Sequence, residues 1–346
     1  MTAIINKSAV PEPNITFSPK HYFCRKAGQP HTLDGRLDKP FWDQAEWSGD
    51  FVDIEGDLKP RPSKRTRFKM LWDDANLYFG AELEEDEIWA TVTDRDAVIF
   101  YDNDFEIFID PDGDTHNYYE FEMNALNTIW DLLLMKPYRD GGPVVNGWDI
   151  RGIRTAVHIV GALNDPSANN RFWSVEVVMP WAALKECAHE GRPPRAGEFW
   201  RINFSRVQWQ VEVKDGVYVK KPNPATGKPY PEDNWVWSPM GIVNMHYPEL
   251  WGYVLFTGDD GAPAHFEIPE DEKTKWSLRK VYYRQRNFYA GNGYFSRDID
   301  HMTSSDDAAG ITIETDATGK TFLASAPASD GQSRIYIRED GKVWRE

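Results

Sequence analysis

Between Asp102 and Asp131 the chain alternates polar and apolar residues with a period of two, which argues for β-strands and against helix in this stretch. Asp104, Glu106 and Phe108 share one side of a first run, opposite Phe105, Ile107 and Ile109. In a second run Glu120, Glu122 and Asn124 fall together, opposite Tyr119, Phe121 and Met123. If the two runs are neighbours, their polar sides merge into one surface of carboxylates and an amide in mid-sheet. Like charges facing each other across strands repel, so acids this dense suit a hydroxyl-rich or cationic ligand. The plainer alternative is the solvated outer side of a half-buried sheet.

Further runs of strand character lie at 67–72, 77–83, 105–109, 118–125, 128–134, 155–160, 173–179, 201–209 and 251–256. Many short strands separated by turn residues point to an antiparallel β-sandwich. Pro11, Pro13 and Pro19 make residues 1–21 an irregular arm. The body then runs over 22–257, with a short helix expected from Pro180 to Glu186 and a Pro, Gly and Lys-rich surface excursion from Lys214 to Asp233. A linker at 258–271 leads to a C-terminal segment, 272–346, that reads as an aromatic helix ending at Gly291 and Gly293 followed by hairpin-like strands. The expected fold class is therefore mainly β: an immunoglobulin-like antiparallel sandwich with a small α+β appendage.

A formal charge of −16 argues against nucleic acid, whose phosphates would be repelled. Fifteen Trp, 15 Tyr and 18 Phe supply flat faces that stack on sugar rings as well as on each other. Cys24 and Cys187 have no second pair, which excludes a disulfide framework and a cysteine-only zinc site. No apolar run reaches membrane-spanning length, and the N-terminus lacks the basic and apolar regions of a signal peptide. A soluble protein is expected, cytoplasmic as written and exported if a leader was removed.

The order of LDGRLDKPFWDQAEW (33–47), MLWDDANLYFGAELEE (70–85), DNDFEIFIDPDGD, WSVEVVMPWAAL (173–184) and FWRINFSRV (199–207) resembles carbohydrate-binding module family 9 and its stand-alone relatives over about residues 22–257. That resemblance implies an immunoglobulin-like sandwich, kin to haem-binding DOMON-type domains, and a carbohydrate ligand held by polar strand residues between two aromatics. It places Glu106 at the acidic sugar contact and Asn124 at the amide contact. Asn203 and Ser205 fall on a strand that supplies another polar contact, and Asn244 near a late amide contact. Glu122 departs from the pattern, standing where sugar binders carry arginine; Phe100 falls near one clamp tryptophan and Met245 or His246 near the other. Trp235, Trp237, Trp130 and Trp209 are candidates to restore the clamp, and Trp42, Trp72 and Trp181 are expected in or beside the core.

Strand parity puts Arg206 opposite Asn203 and Ser205, so it either pairs with an acid or reaches the site through a bulge. Two acids at Glu106 and Glu122 on adjacent strands should raise at least one pKa by mutual repulsion unless a metal or Arg206 neutralises them. Asp110, Asp112 and Asp114 have the alternating oxygens of a calcium loop, although Gly113 comes one residue early for an EF-hand and a turn alone explains Pro111 and Gly113. Calcium is therefore a candidate cofactor, and relatives in the resembling group hold it. His116 with Glu120 and Glu122 is a second candidate cluster. Three functions remain open: a carbohydrate binder, a carbohydrate-active enzyme using Glu106, Glu122 or Glu120 as an acid/base pair, and a haem domain, for which no Cys-x-x-Cys-His signal occurs.

Overall fold

The computed structural model describes residues 9–258, 261 and 265–346; residues 1–8 of the expected arm, and 259–260 and 262–264 of the expected linker, lie outside them. Each strand expected from periodicity is present, with ends within two residues of the expected ones. Hydrogen bonding runs in the order Val144–Val145, Ile129–Leu134, Tyr118–Asn124, Asp104–Asp110, Phe199–Gln208, Gly252–Thr257, His21–Lys26, Thr66–Trp72, Asn76–Glu84, Phe172–Pro180 and Arg154–Val160. The path folds into two layers at His21–Lys26. That strand pairs with Gly252–Thr257 from His21 to Arg25 but with Thr66–Trp72 only through Arg25 and Lys26, so it passes from one sheet to the other. Both of its pairings are parallel, the exception to an otherwise antiparallel sandwich.

The interior is built from the apolar parity of both layers. Phe204 packs against Phe68 of the facing sheet at 3.9 Å between ring centroids and against Phe79 at 5.9 Å, with Phe105 stacked behind it. Trp72 and Trp181 join this core, and Trp42 is buried in a smaller cluster with Phe41, Leu71 and Tyr78. Trp237 enters the interior across Gly252, where an added Cβ would lie 2.1 Å from the indole, so only glycine permits the approach.

The second side of the acidic sheet is also covered. Phe108, Tyr118, Leu132 and Leu134 form one apolar cluster with Tyr247, Leu250 and Trp251 and with Leu278, Val281, Tyr282 and Tyr283 of the C-terminal helix. That helix, Glu270–Asn292, carries three acids in its first turn, which favour its positive end, and stops at Gly293 in the left-handed conformation. A four-stranded sheet from Thr312 to Arg345 packs behind it. The N-terminal arm is tied down against the same helix: Phe17 stacks on Trp276, and the Val10 amide donates to Asn287 Oδ1 at 3.0 Å. Every residue of Asp104–Asp110 and Tyr118–Asn124 is consequently buried, which overturns the solvated-face alternative.

Two local expectations differ from the structure. The 214–233 excursion is not all loop: Val211–Lys214 and Val217–Lys220 form a hairpin, and Asp233–Val236 pairs with Phe199–Gln208. The helix expected from Pro180 to Glu186 is shorter, Trp181–Leu184, because Pro180 still pairs with Asn76 in the sheet. Cys24 and Cys187 are free thiols, and among the described residues no helix is long and apolar enough to cross a membrane.

Candidate functional site

Strand register sets the acidic side chains in rows. Ser205, Glu106, Glu122 and Trp130 stand side by side on four adjacent strands, and Asn203, Phe108, Glu120 and Leu132 make the next row. Asp104, opposite Asn124, lies beyond the first row. Alternation puts all of these on the face away from the Phe204 core. The C-terminal segment covers the apolar part of this face at Phe108, Tyr118, Leu132 and Leu134, leaving an acidic cluster beside it.

Four acids are gathered with little to neutralise them. Relative exposure is 0% for Asp104, 5% for Glu106, 6% for Glu120 and 1% for Glu122, and among the described residues none of the four forms an ion pair. Their hydrogen bonds are few: the Val207 amide donates to Asp104 Oδ1 and the Phe100 amide to Glu122 Oε2, each at 3.1 Å. Asp104 Oδ2, Glu120 Oε2, the Ser205 hydroxyl and the Trp130 indole N–H are buried without a partner. Burial first, and the neighbouring carboxylates second, push Asp104, Glu120 and Glu122 well above the ordinary carboxyl range. Glu106 is pushed up to about 7 by burial, against a lowering from the facing Ser205 hydroxyl, with Glu232 adding a lesser rise.

The rim is aromatic. Phe100 is half-buried and packs on the exposed Tyr101. Tyr138, nearly half exposed, has its phenol raised to about 12 by burial and by the charges of Glu120 and Glu122. Its ring also meets His246 edge-on at 4.5 Å. Trp209 lies close by, donating to the Phe100 carbonyl, but Lys220 sits 3.2 Å above its face and occupies it.

Several residues expected at the site are spent elsewhere. Asn124 uses all four of its hydrogen-bonding positions internally: Nδ2 donates to the Val92 carbonyl and to Asp102, and Oδ1 accepts from the Leu126 and Thr128 amides. It closes the turn after its strand and has nothing left for a ligand. Asn203 is paired both ways with the Ser238 backbone at 2.9 Å. Arg206 faces the interior, as parity requires, donating to Glu85 at 2.9 Å and to Thr66 and Gln208. Trp235 lies 5.1 Å from its guanidinium and Trp237 is wedged against Phe68, so neither indole reaches the acidic face. Asn244 accepts the His246 amide and shapes the loop there; Met245 is buried in the cluster beneath the C-terminal helix, and His246 bonds the Tyr118 hydroxyl at 2.8 Å.

The other acidic groups behave differently. Asp110, Asp112 and Asp114 offer oxygens within 4.8 Å of one another. Yet Asp110 accepts the Gly113 and Thr115 amides, Asp112 that of Asp114, and Asp114 that of His116, while Lys342 lies 3.1 Å from Asp114. The turn is thus largely self-satisfied and partly neutralised. His116 does not join Glu120 and Glu122; its ring lies 3.5 Å from Asp340 in the C-terminal segment. Asp104 shares the parity of Glu106 and was legible as its neighbour, whereas Tyr138, in a short turn after Pro137, carried no sequence signal.

The family model described as "Carbohydrate family 9 binding domain-like" matches residues 33–135, the segment that contains both acid-bearing strands. This agrees with the resemblance carried by the sequence motifs. No curated protein gives a match. Among solved structures, the chain is similar to a protein of Bacteroides uniformis provisionally described as carbohydrate-binding, at 16% identity and a TM-score of 0.49, covering 69% of this chain and 100% of that one. It is also similar to a family 9 carbohydrate-binding module of Caldicellulosiruptor kristjanssonii in complex with cellotriose, at 18% identity and a TM-score of 0.43, covering 72% of this chain and 99% of that one. The same organism's module in complex with glucose gives 16% identity and a TM-score of 0.43, with 72% and 100% covered. These are likenesses of other proteins, and nothing about this chain's ligand follows from them.

Proposed function

We propose that the polar end of this sheet face, with its aromatic rim, binds a carbohydrate. The observation that carries the reading is the row Ser205, Glu106, Glu122 and Trp130, in which carboxyl groups stand in register with an indole whose N–H has no partner. A carboxyl accepts hydrogen bonds from adjacent hydroxyls, and the indole donates to a ring or hydroxyl oxygen while offering a flat face to the ring's C–H groups. Phe100, beside Glu122, and Tyr138, both partly exposed, extend the aromatic surface. Glu106 and Trp130 are the principal contacts in this reading, with Glu122 and Ser205 behind them; Asn124, Asn203, Arg206, Trp235 and Trp237 serve the fold.

The test is a panel of soluble glycans, glucose, cellotriose and amino sugars included, followed both by calorimetry and by chromatography for products. Binding without products is the expected result. Trp130→Ala should weaken the best ligand by about 1 kcal/mol or more, on the scale of aromatic pair energies, and Glu106→Gln by about 1–3 kcal/mol, the cost of losing a charged acceptor. If no glycan binds the folded protein, or if neither variant changes affinity, this site is not the binding surface. Conversion of a glycan, lost in Glu122→Gln with affinity retained, would replace binding by catalysis.

A further inference from the structure

The charge balance of the buried row cannot be closed by the chain itself. Asp104, Glu106 and Glu122 each place a carboxylate oxygen within 4.8 Å of the others, and no cation pairs with any of them among the described residues. Protonation removes the charge but creates O–H groups that need acceptors. Asp104 Oδ2 has no hydrogen-bond partner of any kind, nor has Oε2 of the adjacent Glu120. A further buried polar atom, the Ser205 hydroxyl, is also unpartnered and stands directly opposite Glu106 in register. Unpartnered oxygens thus lie within the group at Asp104 and opposite Glu106 at Ser205, where burying them unpaired is costly.

We propose that Asp104, Glu106 and Glu122, with the Ser205 hydroxyl, form a buried binding site for a hard divalent cation of calcium size. The donor set is all oxygen, which disfavours zinc and copper. Calcium takes about six to eight oxygens, carboxylates prominent among them, whereas magnesium keeps several waters and is usually held by one or two carboxylates; three buried carboxylates whose oxygens lie within 4.8 Å of one another suit calcium. The carboxylates shed their protons on binding. The site is distinct from the turn at Asp110, Asp112 and Asp114, where backbone amides and Lys342 already hold the acids. It stands on side-chain geometry alone and does not depend on the carbohydrate reading.

The experiment uses the full chain, stripped with chelator, desalted, and titrated with calcium chloride alone at pH 8 by calorimetry, with thermal unfolding in parallel. One calcium-binding event and a rise in Tm are expected. Glu122→Gln should lower the affinity by more than the roughly tenfold that loss of a group merely orienting a ligand costs, whereas Asp112→Asn should leave this event in place. Glu122→Gln is nearly isosteric and should fold; chelated, it should melt above chelated wild type, because one of two opposed carboxyls is gone. Stripped wild type that binds no calcium overturns the proposal. So does calcium binding that survives both Glu122→Gln and Glu106→Gln but is lost in Asp112→Asn.

Discussion

Removing the ionisable group from Glu106 should change how stability depends on pH, with a sign that follows from burial. The carboxyl titrates near 4.5 in an unfolded chain and is pushed up to about 7 in the folded one, chiefly by desolvation. Between those values the folded state holds a proton that the unfolded state has released, so unfolding is favoured as pH rises through this window. Each pH unit costs about 1.4 kcal/mol, and the loss attributable to Glu106 accumulates to about 3 kcal/mol by pH 7 and then levels off. Glu120 and Glu122, held still higher by burial and by the Glu106 charge, lose more stability beyond that point in wild type than in the variant. Glu106→Gln has no proton to lose. In chelator, urea unfolding at a series of pH values from 4.5 to 8 should show the two proteins closely matched at the acid end. The variant should then gain on wild type by about 3 kcal/mol or more up to pH 7. A difference that stays constant with pH, or that shifts in favour of wild type as pH rises, would refute the burial argument.

Asn124→Ala leaves the partners of four internal hydrogen bonds unmet and should destabilise the protein by about 3–5 kcal/mol in the same urea assay. Per folded molecule, its glycan affinity should match wild type; a selective loss of binding would return the amide to the site. Arg206→Met removes the buried donor to Glu85, Thr66 and Gln208 while Lys64 still pairs with Glu85, and should cost about 1.5–3 kcal/mol, again with ligand affinity unchanged by calorimetry. Gly252→Ala drives a methyl group into Trp237 and should abolish cooperative unfolding or lower Tm steeply; a wild-type melting curve would show that the indole can move aside.

Period-two alternation was enough to define the strands, to put Glu106, Glu122 and Asn124 on one face, and to set Arg206 on the other, because side-chain parity is a local property of extended backbone. The motifs across 33–135 carried the family likeness for the same reason: they are short and contiguous. Parity could not say what lies above a face. The apolar part of this face, at Phe108 and Tyr118, is buried because the segment beginning at Glu270 folds back over it, with contacts such as Arg201 with Glu272 and Arg279 with Thr115 joining positions far apart in the chain. Nor could composition reveal that Trp235 and Trp237 point inward, since Trp235 lies in, and Trp237 just after, a short strand at the end of a Pro and Lys-rich excursion, and its pairing is decided by its partner, Phe199–Gln208. Asn124 shows the same division. Its place on the acidic face was written in the alternation, but its availability to a ligand depended on the Val92 carbonyl and the Asp102 carboxylate, which the folded chain brings to it and the sequence leaves more than 20 residues away.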